Sequence, residues 1–114
     1  MIEEMIQRAF EIRNASHLQH WKTKSYAQHK ALGHFYEDLV DLTDKYVEAY
    51  QGGVKLIGKV EGEKPDIIKA IEEQMLWLSK NRSQLAQDIP ALENILDEMV
   101  GLYMKTLYKL ENLR

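Results

Sequence analysis

Four stretches of this chain carry apolar residues at the i, i+3, i+4 spacing of an α-helix, and only short breaks and one connector separate them. Ile2, Met5, Ile6, Ala9 and Phe10 begin the first, which continues through Leu18 and Trp21 and predicts a helix over residues 2–23. Ser25-Tyr26-Ala27-Gln28 then reads as a capping box, the serine oxygen accepting from an early amide and the glutamine reaching back. The helix it opens, over 26–51, carries a stripe of Leu32, Phe35, Tyr36, Leu39, Leu42, Tyr46, Val47 and Tyr50, and Gly52-Gly53 is expected to end it in the left-handed conformation. Residues 54–65, with Gly58, Gly62 and Pro65, have no long period and read as a connector. A third helix is expected over 66–87, and Asp88 with Pro90 marks the start of a fourth over 89–113.

With 114 residues, such a chain suits a single domain, residues 1–114. Cysteine is absent, so thiolate metal sites, disulfides and thiol nucleophiles are excluded, and any metal must be held by imidazole and carboxylate. The net charge of -3, with lysine and arginine scattered, gives no sign of affinity for nucleic acid. Two glutamates interrupt the first apolar residues, unlike a secretory signal, and no apolar run approaches a membrane span. The expectation is a protein of the cytoplasm with no membrane partner.

Short turns make each helix pair antiparallel, and the connector is long enough to cross a helix of this size. The fold class expected is therefore all-α, a four-helix bundle of two antiparallel hairpins with one crossover, the topology of ferritin-like bundles.

All four histidines lie between residues 17 and 34. None has an acid three residues before it, so the Glu-x-x-His pattern of di-iron bundles is missing. His17 and His20 share a helical face; Asp44 and Glu48, four apart, share another. His29 and Asp44 are fifteen residues apart, ~22 Å along a helix axis, too far for one ion. A two-fold axis near Glu37 removes the difficulty: two antiparallel copies of the second helix bring His29 of one chain beside Asp44 and Glu48 of the other. Imidazole with carboxylate suits iron or zinc better than calcium or magnesium.

His20-Trp21, then His29, then Asp44 and Glu48 at fifteen and nineteen residues after it, resemble the Dps-like miniferritins over about residues 15–50. The resemblance implies an intersubunit ferroxidase centre with His20 and His29 from one subunit and Asp44 and Glu48 from its partner. It also implies Trp21 beside the site and an oligomer, up to a dodecamer, that oxidises and stores iron. His20 and His29 are nine positions apart here, about three fewer than in typical members, which leaves His17, one turn earlier, as a substitute ligand. Asp88, Glu93 and Asp97 have the spacing of the family's iron-entry acids, although acids near a helix start are also favoured by the helix dipole. Two functional expectations follow: an iron-oxidising miniferritin, or a ferritin-like structural protein whose metal site is degraded.

Overall fold

A computed structural model describes residues 1–113, and among them every regular element is helical. The helices are α1 (Ile2–Lys22), α2 (Tyr26–Gly53), α3 (Ile67–Ala86) and α4 (Pro90–Asn112). They fall into two compact units, residues 1–63 and 64–114, each built on one helix pair. No helix is long and apolar enough to cross a membrane among the described residues.

In the first unit the α1–α2 turn is held by a relay of side chains. Ser25 caps α2 by accepting from the Gln28 amide at 3.2 Å. Gln28 does not reach the Ser25 amide, as a standard capping box would have it. Instead that amide donates to Thr23 Oγ1 at 3.2 Å, and the Thr23 hydroxyl donates to Gln28 Oε1 at 2.8 Å. At its far end α2 runs through Gly52 and Gly53 rather than stopping at them. Neither glycine takes a positive φ, and the helix closes with the Val54 amide bonded to the Tyr50 carbonyl. The expected left-handed stop is therefore not used.

Beyond Val54 the connector folds back on its own hairpin. Val60 is buried with Ile2 and Ile6 of α1, and Val47, Tyr50 and Ile57 pack against them. Two hydrogen bonds pin the backbone there: Gly58 donates to Glu3 Oε2 at 2.9 Å and Ile57 to Gln51 Oε1 at 3.1 Å. The Gly58 amide, followed by Glu3's own amide, holds the Glu3 carboxyl below its usual pKa.

In the second unit Asp66 caps α3 by accepting from the Lys69 amide. Its C-terminus turns through Gln87 and Asp88, both left-handed at φ 54° and 57° although neither is glycine. Pro90 opens α4 at its first turn, where a missing N–H costs nothing. Arg82 of α3 donates to both carboxylate oxygens of Asp97 of α4, each at 3.0 Å. That pairing lowers the Asp97 pKa and raises that of Arg82.

Each unit buries little by itself. No residue of α2 or α4 is fully buried. Phe35, Leu42 and Tyr46 on α2, and Leu76, Trp77 and Leu102 in the second unit, are exposed. Truncating the most enclosed α1 side chain, Ile6→Ala, is expected to cost about 2 kcal/mol or more, read from the midpoint of urea unfolding. Both Glu3 and Asp97 have folded pKa values depressed below 4.5 and 3.8. Their contribution to stability is present above those ordinary values and lost as pH falls through the depressed ones. A thermal-melt series is therefore expected to show stability dropping below about pH 4.5, with a smaller drop in Asp97→Asn.

Candidate metal centre at the turn between α1 and α2

His20 stands in the last turn of α1, where carbonyls lose their helical partners. His29 stands one turn into α2. The short connection brings them face to face, with rings stacked at 3.6 Å and 18°. Each ring bonds the other residue's backbone: His20 Nδ1 to the His29 carbonyl at 2.6 Å, and His29 Nδ1 to the His20 carbonyl at 2.8 Å. A carbonyl oxygen can only accept, so both Nδ1 atoms carry protons. Nε2 is then the unprotonated nitrogen of each neutral ring, and neither Nε2 makes a hydrogen bond among the described residues. Imidazoles that bind metal characteristically have this arrangement, with one nitrogen donating to a carbonyl or carboxylate and the other left as the ligand.

The nine-residue spacing therefore does not keep His20 from His29. His17 sits apart from the pair, with its ring 4.3 Å from Tyr36 in a stacked geometry, 4.2 Å from Trp21 and 6.0 Å from His20. Partial burial, followed by the charge of Arg13, pushes the His17 pKa below its usual value. Arg13 in turn lies over the Tyr36 ring at 5.3 Å. Trp21 packs on His17 and is 66% exposed, so its outer face is open. Tyr36 also meets His20 edge-on at 5.5 Å. In the sequence Tyr36 reads as part of the apolar stripe of α2 and Arg13 carries no signal of its own; the cue is their spacing around His17 and His20 across an antiparallel turn.

Asp44 and Glu48 lie further along α2, both exposed. Among the described residues no three His, Asp or Glu side chains of the chain come together as a metal-holding group. Within one chain, then, the two imidazoles and the two carboxylates stay separate. In the second unit, Asp97 is neutralised by Arg82, Glu93 lies in the first turn of α4, and Asp88 occupies the turn before it.

A family model described as a family of unknown function, DUF5856, matches residues 20–110. The chain belongs to the DUF5856 family. The matched span opens on His20 and includes His29, Asp44, Glu48 and Asp97, while His17 lies just outside it. A relative in Enterobacteria phage T4, described as an uncharacterized 14.6 kDa protein in the mobD-ri intergenic region, is 32% identical over 99 residues. The aligned region covers 82% of this chain and 75% of that relative. No solved structure matches the chain.

The hydrogen-bonding pattern fixes a measurable property of this DUF5856 member. Nitrogen-15 NMR near neutral pH is expected to show both His20 and His29 as Nδ1–H tautomers. His29→Ala should release His20 to the mixed tautomer population of a solvated imidazole.

Proposed function

We propose that this chain is a ferritin-like, Dps-like iron protein whose metal centre is shared between two subunits. The observation that carries the reading is the reciprocal His20–His29 pair, in which Nδ1 of each stacked ring is engaged by a carbonyl and Nε2 is left as the ligand atom, at one end of α2. Asp44 and Glu48, four apart near the other end of α2, supply the carboxylates. In an antiparallel contact between two copies, His20 and His29 of one face Asp44 and Glu48 of the other, so two equivalent centres form. The donor set of two imidazoles and two carboxylates fits ferrous iron, and zinc in its place. The exposed apolar side chains of both helix pairs support a protein that works as an assembly.

Iron in this reading is substrate and cargo. Two ferrous ions each lose one electron, and one peroxide takes both electrons and two protons to give two waters; dioxygen is the alternative oxidant. The chain's own residues hold the ions and supply carboxylates where ferric product collects. Tyr36 borders the imidazole pair edge-on to His20, and Trp21 packs on the neighbouring His17.

One observation favours a second reading. The two imidazole–carbonyl bonds tie α1 to α2 without any metal, so His20 and His29 are also explained as a structural fastening in a non-catalytic ferritin-like protein.

Subunit mixing separates these readings. His29→Ala and Asp44→Ala alone should each abolish tight ferrous and zinc binding, measured anaerobically by calorimetry. Mixed in equal amounts after dissociation, they should regain about a quarter of the wild-type sites, because half of the random dimers carry one intact centre of two. Binding that survives either substitution, or that never returns on mixing, refutes the shared centre.

A further inference from the structure

Gly33 lies in the interior of α2, where glycine is the least favourable residue apart from proline. No turn or positive φ requires it there. What it provides is space: a Cβ at this position would lie 3.1 Å from His20 Cε1 and 3.4 Å from His20 Nδ1. The His20 ring therefore lies directly on the bare backbone of α2. In a regular helix the Gly33 amide donates to the carbonyl four residues earlier, which is that of His29. The same carbonyl accepts from His20 Nδ1 at 2.6 Å, so the ring shares an acceptor with the helix at the point where glycine leaves room.

We propose that Gly33 is the positioning residue of the candidate metal centre, the one that admits His20 to α2 and so fixes its Nδ1–H tautomer. Neighbours limit how the ring can shift while keeping its bond to the His29 carbonyl. His29 is stacked on it at 3.6 Å, Tyr36 stands edge-on at 5.5 Å, and its hydrogen bond is already short. A methyl group at residue 33 moves the ring off the His29 carbonyl, and the proton then no longer has to reside on Nδ1. The step from tautomer to metal affinity rests on the reading of His20 as a ligand; the step from Gly33 to tautomer does not.

Gly52 provides the control. It belongs to the same helix, and a Cβ there meets nothing within 4 Å. Gly33→Ala is expected to abolish the Nδ1–H signature of His20 in nitrogen-15 spectra and to weaken zinc binding by about tenfold or more. Gly52→Ala should leave both unchanged. A thermal-melt cycle adds a reading independent of metal. Gly33→Ala should lower the melting temperature in the wild-type chain and raise it in a His20→Ala background, where only helix propensity remains. The inference is overturned if Gly33→Ala leaves the His20 tautomer intact or shifts the melting temperature equally in both backgrounds. If the tautomer and the sign reversal behave as expected while the wild-type chain binds neither zinc nor ferrous iron, Gly33 keeps its role and the metal reading falls.

Discussion

Two imidazole–carbonyl bonds across a three-residue turn organise the first half of this protein. Carbonyls near the end of a helix need partners, and α1 ends without a glycine to fold back on them. His29 supplies one, bonding the His20 carbonyl from the next helix. His20 returns the contact into α2. The residues around the turn follow from that exchange: glycine at 33 for clearance, Tyr36 edge-on to His20, and His17, one turn earlier on α1, packed on Trp21 and Tyr36. A fastening of this kind also settles which ring nitrogen faces outward, so a structural contact defines the chemistry available at the surface.

Periodicity made the four helices legible, and side-chain chemistry located most of their ends. Ser25, Asp66 and Pro90 mark helix starts, as their types imply. The departures occur where one residue has several physically acceptable roles. Gly52 and Gly53 can end a helix but do not have to, and α2 continues through both until Val54. Conversely α3 ends in left-handed Gln87, which no composition rule would select. The connector's Val60 belongs to no apolar period, yet it is among the most buried residues because the chain doubles back onto Ile2 and Ile6. Such a long-range contact leaves no local trace in the sequence.

The candidate site was legible as a set of residue types and less so as a geometry. Spacing alone separated His29 from Asp44 and pointed to a second copy. It left His17 and His20 interchangeable, and only the stacking of His20 on His29 distinguishes them. Gly33 was invisible for a different reason. A helix-interior glycine has many explanations, and its use here depends on a side chain thirteen residues earlier lying across it. Asp97 illustrates the reverse case, an acid whose spacing read as an iron-entry position but whose charge is met by Arg82.

The connector has a consequence of its own. The α1–α2 hairpin is tied at one end by residues nine apart in sequence and at the other by Glu3 and Gly58, fifty-five apart. Closing the second loop restricts far more chain than closing the first. On loop-closure entropy the Glu3–Gly58 end is the costlier of the two to hold shut, so it is the end expected to open first, freeing Gly58 and Val60 and exposing the first turn of α1 before the imidazole pair parts.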